Sequence, residues 1–157
     1  MYQVAFIKTP LGIAKIVGDE EGISEIFALD EGKVSKTIPK ELKEAVEQLK
    51  DYFLGKRNEF KFKLNPKGTD FQQKVWQELL NIPFGKTISY LDLAKKLGDP
   101  KVIRAAASAN GKNPLWIVVP CHRVIGTDGA LTGYVGGLWR KKWLLEHESP
   151  TTQQSLF

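Results

Sequence analysis

Residues 69–110 read TDFQQKVWQELLNIPFGKTISYLDLAKKLGDPKVIRAAASAN, and this stretch predicts helices in succession. Thr69 with Gln72, and Ser89 with Asp92, have the spacing of capping boxes, in which paired side chains satisfy the first free backbone N–H groups of a helix. A buried stripe at helical spacing follows the first box: Phe71, Val75, Leu79 and Ile82. We therefore expect helices to begin at residues 70 and 90.

A glycine-containing turn separates the predicted helix 90–97 from a third helix at 101–110. The third helix carries small side chains that allow close approach to a partner: Ala105, Ala106, Ala107 and Ala109. Two short helices joined in this way form the helix-turn-helix pattern found in many DNA-binding proteins. Helical hairpins of this kind also serve purely structural roles, so DNA binding does not follow from the pattern alone.

The first half of the chain predicts strands. Apolar and polar residues alternate in the segments 2–6, 13–17 and 23–29, which indicates an antiparallel meander. From Pro39 to Gly55 the period becomes helical, and the apolar positions of this one helix are Leu42, Val46, Leu49 and Phe53. The alternation then returns in Phe60, Phe62 and Leu64.

These patterns predict an α+β fold with two domains. The first, 1–64, combines a small antiparallel sheet with one helix, and a turn at 65–68 marks the boundary. The second, 69–150, is mostly helical and closes with an amphipathic helix at 138–148. Residues 151–157 are expected to form a flexible tail.

The charge of the chain is concentrated near its middle. The net charge is +5, and residues 85–125 hold seven lysines and arginines against two aspartates, which by itself amounts to +5. A local basic segment indicates a polyanionic partner, of which nucleic acid is the commonest. The alternative is a solvated face on a basic protein.

The composition excludes several classes of protein. With 42% apolar and 26% charged residues, the 157-residue chain is a globular protein rather than a disordered or fibrous one. One cysteine excludes an intramolecular disulfide, and with two histidines it cannot form a four-ligand zinc site without carboxylates. No apolar run approaches the roughly 18 residues of a membrane span, and no targeting segment opens the chain. We expect a cytoplasmic protein, or a nuclear one in a eukaryote, that uses no metal and no cofactor.

The single cysteine, Cys121, lies in the tetrapeptide PCHR, directly after the apolar run 115–119. This position predicts a buried thiol held at the rim of a core. His122 and Arg123 supply a base and a positive charge, the two influences that convert a thiol into a thiolate. Glu148 is an attractive partner to orient the histidine. The alternative is a packed structural cysteine.

Residues 126–137 contain five glycines, and Tyr134 is their one aromatic residue. The segment is expected to form a loop. Glycines let the backbone approach a ligand closely. The alternative is a loop that only connects two elements and tolerates many sequences, which would also be rich in glycine.

Together these motifs resemble the O6-alkylguanine-DNA alkyltransferase family, also called methylguanine-DNA methyltransferases. The residues that carry the resemblance span about 69–148 in order and without gaps: Phe84-Gly85, Ser89-Tyr90, Arg104-Ala105, Asn113-Pro114, Pro120 to Ile125, Tyr134, Gly136-Gly137-Leu138, Trp143-Leu144-Leu145 and His147-Glu148. The resemblance implies a ribonuclease-H-like first domain and a winged-helix-like second domain.

The resemblance also implies direct DNA repair, with the activity of a methylated-DNA–protein-cysteine S-methyltransferase. The protein would flip an O6-alkylguanine out of duplex DNA and transfer the alkyl group to Cys121, irreversibly and once per molecule. Glu148 and His122 would deprotonate the thiol through a water, and Tyr90 would donate a proton to the departing guanine.

Binding roles are implied for a further set of residues. Arg104 would fill the space of the flipped base, Asn113 would fix the turn before the active-site strand, and the carbonyls of Cys121 and Val124 would read the exocyclic amine. Tyr134 would close one wall of the pocket. The other expected DNA-binding or substrate-binding residues are Ser89, Lys101, Ala105, Arg123, Val135 and Gly136. Many relatives place serine where this chain has Val135.

The expected partner is duplex DNA carrying O6-alkylguanine, with O4-alkylthymine open as a second lesion, and the protein would associate with the nucleoid. The tail 153–157 resembles peptides that dock on sliding clamps. Two other functions stay open: a cysteine hydrolase using Cys121, His122 and Asn113, and a non-catalytic DNA-binding or lesion-sensing module.

Overall fold

The computed structural model describes residues 1–126, 134 and 137–149, which divide into two units. The first unit contains residues 1–67 and 114–118, and the second contains 68–113 and 119–157. Residues 114–118 lie in the first unit, although their place in the sequence predicts the second. The chain therefore passes between the units three times.

An antiparallel meander of three strands forms the base of the first unit: β1 (Gln3–Thr9), β2 (Gly12–Asp19) and β3 (Gly22–Leu29). Strand β1 is confirmed, but its buried face is the opposite of the one that the alternation of Tyr2, Val4 and Phe6 predicts. Ala5, Ile7 and Thr9 are buried, and the residues between them are not. Gly18 is required at its position because a Cβ there would lie 2.7 Å from the Gly22 carbonyl oxygen.

One helix, α1 (Lys43–Phe53), follows a 3-10 turn at Lys40–Leu42. Leu42, Val46 and Leu49 of the predicted stripe are buried. This confirms the helix and its buried face.

The segment 60–64 is not a strand, contrary to the alternation in its sequence. Only Leu64 makes an isolated bridge, to Ile23. The buried amide of Gln48 instead accepts a hydrogen bond from the Lys61 N–H (2.7 Å) and donates one to the Lys61 carbonyl (3.1 Å). Because this side chain occupies the only backbone donor of Lys61, that residue has no N–H left for a sheet partner.

The apolar run 115–119 is also not a strand but a buried series of turns. Only the beginning of the run pairs with strand β3. The Ile26 N–H donates to the Pro114 carbonyl (2.8 Å), and the Trp116 N–H donates to the Ile26 carbonyl (3.0 Å). Ile117 then adopts a positive φ of 72°, which is a costly conformation for a β-branched residue. The predicted active-site strand is therefore wrong.

Three helices form the frame of the second unit: α2 (Asp70–Leu79), α3 (Tyr90–Lys96) and α4 (Ile103–Gly111). Both predicted capping boxes are present, at Thr69 with Gln72 and at Ser89 with Asp92. Helix α4 packs against α2 and α3, and the Trp76 indole N–H donates to the Ala109 carbonyl at 2.9 Å. The predicted succession of helices is confirmed.

A pair of strands and one more helix complete the second unit. Short strands β4 (Ile88–Ser89) and β5 (Val124–Ile125) pair in parallel, and helix α5 runs over Leu138–Glu148 as predicted. Among the described residues, no helix combines the length and the apolar character needed to cross a membrane.

Candidate active site

Cys121 opens a 3-10 turn, Cys121–Arg123, that follows Pro120. The Arg123 N–H donates to the Pro120 carbonyl (3.0 Å), and the Val124 N–H donates to the Cys121 carbonyl. All three side chains of the turn are buried, and that of Cys121 is 8% exposed. The thiol is thus held by a closed backbone turn.

Helix α5 brings Glu148 to this turn. The Nε2 atom of His122 lies 2.8 Å from Oε2 of Glu148, and both side chains are almost fully buried. Burial alone would raise the pKa of Glu148, but the hydrogen bonds and charges of His122 and Arg123 outweigh it and hold that pKa well below its usual range. Glu148 is therefore a carboxylate at neutral pH.

The ionised Glu148 decides which nitrogen of His122 carries hydrogen. A carboxylate only accepts hydrogen bonds, so Nε2 must be the donor. Burial, which outweighs the attraction of Glu148, lowers the pKa of His122, so the ring is neutral and Nδ1 keeps a lone pair. Among the described residues, Nδ1 is buried and has no hydrogen-bond partner. This nitrogen is a base on the ring of the residue that follows Cys121.

Arg123 does not lie where a DNA-contacting residue should. Its Nε donates to Oε1 of Glu148 (2.7 Å), its Nη2 to Oε2 (2.9 Å), and its Nη1 to the Ile82 carbonyl (2.7 Å). The residue is 6% exposed. The expected DNA contact of Arg123 is therefore wrong. This side chain instead holds Glu148 in place and keeps its carboxylate ionised.

The thiol of Cys121 rests in its protonated form. Burial raises its pKa, against the opposing effects of a hydrogen bond from Asn113, the charge of Lys141 and a hydrogen bond from Tyr134. Arg123, whose charge was expected to favour the thiolate, is bonded to Glu148 instead. The reaction therefore needs a base that accepts the proton of the thiol.

Two asparagines hold the backbone around the thiol. Asn113 Nδ2 donates to the Val119 carbonyl at 2.7 Å, which places this side chain across the turn that leads to Cys121. Asn110 Nδ2 lies 3.4 Å from the Cys121 carbonyl, and this buried residue had not been singled out in the sequence. Its place on α4, which carries four alanines, is typical of ordinary helix packing.

Lys141 is a second residue that the sequence pattern did not single out. Its side chain is 0% exposed, and Nζ donates to the Val124 carbonyl at 2.8 Å. The run RKK at 140–142 reads as a solvated basic face. The spacing of the two residues could have indicated that Lys141 faces the site. Lys141 and Glu148 are seven residues apart, which is two helical turns, and so share one face of α5.

The residues expected to face DNA are more exposed. Arg104 and Ala105 are exposed at the beginning of α4, and Lys101 is exposed in the 3-10 turn before it. Ala106 and Ala109 are buried and serve packing. Only part of the predicted small-residue face is therefore open.

Tyr90 and Ser89 are half-buried at the start of α3, where Ser89 accepts the capping hydrogen bond from the Asp92 N–H. The remaining expected residues, Val135 and Gly136, and the tail 151–157 with its expected clamp-binding peptide, lie outside the described residues.

Two family descriptions match nearly the whole chain. The ribonuclease-like domain of 6-O-methylguanine DNA methyltransferase matches residues 2–66, and the DNA binding domain of the same protein matches residues 70–150. The chain belongs to the 6-O-methylguanine DNA methyltransferase family. The resemblance seen in the sequence is thus confirmed, and it extends to the first half of the chain.

Individual members of the methyltransferase family are also similar to this chain over most of its length. A methylated-DNA–protein-cysteine methyltransferase of Methanosarcina barkeri is 44% identical and covers 90% of this chain and 94% of its own length. A constitutive one of Bacillus subtilis is 48% identical, with 82% and 84% covered. Among solved structures, Mycobacterium tuberculosis OGT in complex with DNA has a TM-score of 0.82 at 41% identity, with 99% of both chains covered.

Proposed function

We propose that this chain repairs DNA by transferring an alkyl group from O6-alkylguanine to Cys121. The observation that carries the proposal is the buried His122–Glu148 pair, which leaves a basic nitrogen on the residue next to the one cysteine of the chain. The methylated-DNA–protein-cysteine methyltransferase name of the relatives describes the same group transfer.

The transfer begins with the proton of the thiol. It passes through a bridging water to His122 Nδ1, and Glu148 stabilises the imidazolium that forms. The thiolate attacks the alkyl carbon; the new S–C bond forms as the C–O6 bond breaks, and its electron pair remains on the guanine. No second reactant restores the thioether to a thiol, so each molecule acts once.

Tyr90 completes the balance of protons. Its hydroxyl donates to the departing guanine, and the tyrosinate and the imidazolium then exchange protons with solvent. Removing this donor would leave an anionic guanine in a buried site, which costs several kcal/mol. Tyr90 stands at the N-terminus of α3, within the same unit as Cys121.

DNA binding is assigned to α4 and the turn before it. Lys101 supplies phosphate contact, Ala105 permits close approach, and Arg104 fills the stack after the damaged base is extruded. Arg104 and Ala105 are exposed on adjacent positions, which supports this assignment. The DNA complex of the M. tuberculosis relative supports duplex DNA as the partner.

The extruded base is read by backbone groups. The carbonyls of Cys121 and Val124 accept from the exocyclic amine of guanine, and Tyr134 closes a wall of the pocket. The Val124 carbonyl accepts from Lys141 Nζ and, as an oxygen with two lone pairs, can accept from the substrate as well. The Cys121 carbonyl accepts from the Val124 N–H and, at 3.4 Å, from Asn110 Nδ2, so the substrate amine would replace the longer of these two bonds. Val135 and Gly136 are proposed to line the same pocket. O4-alkylthymine lacks the amine, so we expect it to react more slowly.

Intact mass spectrometry tests the proposal most directly. Incubation with a duplex oligonucleotide containing one O6-methylguanine should add about 14 Da to the protein, one methyl group replacing the thiol hydrogen, and then stop. Continued turnover would instead favour a cysteine hydrolase. Against that function, Glu148 rather than Asn113 is the residue that orients His122.

The lesion-sensing alternative predicts a different result with the same sample. A non-catalytic module would bind the methylated duplex with unchanged protein mass, and its binding would not depend on the thiol. Association with the nucleoid follows from the substrate and belongs to this proposal. Deleting residues 151–157 and measuring affinity for a sliding clamp tests the separate proposal for the tail.

A further inference from the structure

An asparagine near the end of helix α4 contacts one of the carbonyls that are proposed to read the substrate. Asn110 is 4% exposed, and its Nδ2 lies 3.4 Å from the Cys121 carbonyl oxygen. The helix is anchored at this point, because the Trp76 indole N–H donates to the carbonyl of the preceding residue, Ala109, at 2.9 Å. The helix therefore sets how far the Asn110 side chain reaches toward Cys121.

The amide of Asn110 is oriented but only loosely held. A carbonyl oxygen only accepts hydrogen bonds, so the nitrogen of the amide must face the Cys121 carbonyl. Its Oδ1 is buried and has no hydrogen-bond partner among the described residues. The contact at Nδ2, 3.4 Å long, exceeds the usual N–H···O distance of about 2.9 Å. A stronger donor can therefore replace it.

The two carbonyls that are proposed to read the exocyclic amine are covered in different ways. The Val124 carbonyl accepts from the Lys141 ammonium at 2.8 Å, a short bond from a charged donor. The Cys121 carbonyl accepts from the Val124 N–H and from the neutral amide of Asn110. Each oxygen therefore has a donor within the protein before a base enters, and the contact with Asn110 is long and uncharged.

We propose that Asn110 sets the range of damaged bases that the protein accepts, by covering the Cys121 carbonyl whenever the bound base has no exocyclic amine. The inference rests on the proposed function. An O6-alkylguanine replaces the long contact with a shorter bond from its amine. A base without the amine, such as an O4-alkylthymine, leaves the amide of Asn110 in place, so the buried carbonyl keeps its donor.

This arrangement reduces the penalty for a base that lacks the amine. Without a donor at position 110, such a base would displace water from the Cys121 carbonyl and leave one of its lone pairs unpaired. Burying an unpaired acceptor is costly, and the cost is large enough to slow the reaction about tenfold. Asn110 is a specificity residue rather than a catalytic one, because it acts through the carbonyl of Cys121.

The test compares two substrates that differ in the amine. Duplex oligonucleotides carry one O6-methylguanine or one O6-methylhypoxanthine, and intact mass gives the second-order rate constant of methyl transfer to wild type and to Asn110→Leu. Leucine has a similar shape but cannot donate. The ratio of the two rate constants, in favour of methylguanine, should rise about tenfold in the variant. Differences between the lesions in base flipping are common to both proteins and cancel. O4-methylthymine should follow methylhypoxanthine.

Asn81→Leu is the matched control, because it makes the same substitution at an exposed residue of the same unit. Its ratio should equal that of the wild type. An equal slowing of both substrates in Asn110→Leu would overturn the inference, because it would show that Asn110 only supports the turn. A lower ratio would also overturn it, because the amide would then bind the amine itself.

Asn110→Ser is a second variant in case leucine destabilises the helix. A serine hydroxyl ends one bond short of the amide nitrogen and does not reach the carbonyl, so its ratio should also rise. Denaturant unfolding confirms that each rate refers to folded protein. A wild type that gains no methyl group from either substrate would overturn the proposed function, and the inference with it. A methylated wild type with the same ratio as both Asn110 variants would overturn the inference alone.

Discussion

The two units of this protein bury different kinds of side chain. In residues 1–67 and 114–118, all of which the structure describes, the buried polar residues are neutral: Thr9, Ser24 and Gln48. Among the described residues of the second unit, the buried set includes ionisable side chains: His122, Arg123, Arg140, Lys141 and Glu148. Both units have apolar cores, so the difference does not come from a shortage of hydrophobic residues.

Buried charge is an expensive way to hold a fold together, because an ion pair rarely recovers the cost of leaving water. Its concentration around Cys121 therefore indicates that the second unit gives up stability for chemistry. The first unit, with its neutral interior, carries no comparable demand. Four changes test this division, in order of decreasing effect.

Replacing the nucleophile should separate the chemistry from the fold. Cys121→Ala is expected to abolish alkyl transfer completely, because no other group in the turn can accept the alkyl group, while affinity for methylated duplex DNA is retained. Intact mass and a binding titration at fixed salt measure the two properties. Loss of DNA binding together with transfer would mean that Cys121 belongs to the structural part of the unit.

Removing the carboxylate of the buried charge cluster should affect both properties. Glu148→Gln leaves Arg123 without its counter-charge, and we expect about 3–5 kcal/mol of lost stability and transfer slowed by about a hundredfold. The control is Glu146→Gln on the same helix. Glu146 forms an exposed ion pair with Lys142 (4.0 Å), which contributes at most about 0.5 kcal/mol to the free energy of unfolding. Denaturant unfolding and single-turnover kinetics measure the pair of variants. Similar results for Glu146 and Glu148 would remove the distinction between exposed and buried charge.

The same Leu→Ala substitution in the core of each unit should destabilise both units but slow alkyl transfer from only one of them. Leu49→Ala in α1 and Leu144→Ala in α5 each remove a fully buried side chain, and each should cost about 2–5 kcal/mol of stability. Of the two leucines, only Leu144 lies on the helix that carries Glu148, between Lys141 and Glu148. Only the Leu144→Ala variant should therefore show slower alkyl transfer per folded molecule. Rates measured well below both unfolding midpoints check this, and a slower Leu49→Ala enzyme would contradict the division.

Acid should destabilise the protein in two phases. The folded pKa of His122 is lowered, so its contribution to stability is complete above 6.5, its ordinary value, and is lost as the pH falls further. The pKa of Glu148 is lowered from 4.5, so a second loss begins below that pH. Each proton contributes a slope of at most about 1.4 kcal/mol per pH unit.

Denaturant midpoints between pH 7 and pH 3 show these phases. His122→Gln should remove the first phase and leave the second. If the first phase persists in this variant, a different group titrates there and the neutral, buried state assigned to His122 is incorrect.

Much of the fold could be predicted because local chemistry decides it. The capping pairs at Thr69 and Ser89 fix the beginnings of α2 and α3, and the helical period of α1 is visible in the letters alone. The alternation in residues 2–6 predicts strand β1 but not which of its faces is buried. The segments 60–64 and 115–119 are not strands because local alternation or hydrophobicity does not decide their backbone partners. The Gln48 side chain binds the backbone of Lys61, and only the beginning of the second segment pairs with Ile26 before Ile117 turns the chain with a positive φ.

The site divides in the same way. Cys121, His122 and Glu148 follow from the motif and are brought together as hydrogen-bonded or adjacent residues. The sequence predicts a DNA contact for Arg123 and assigns no role to Lys141, because sequence alone does not distinguish a buried cation from a solvated one. Burial depends on what packs against α5, and the partners of α5 lie tens of residues away in the sequence.

The position of residues 114–118 in the first unit has a consequence for synthesis. Strand β3 holds this segment through hydrogen bonds of Ile26 with Pro114 and Trp116, yet the two sequences are separated by nearly ninety residues. A chain emerging from the ribosome cannot complete its first unit until most of the second has been made. The nascent N-terminal half therefore exposes an unfinished apolar edge during translation, and the last piece to fill it arrives just before the reactive thiol.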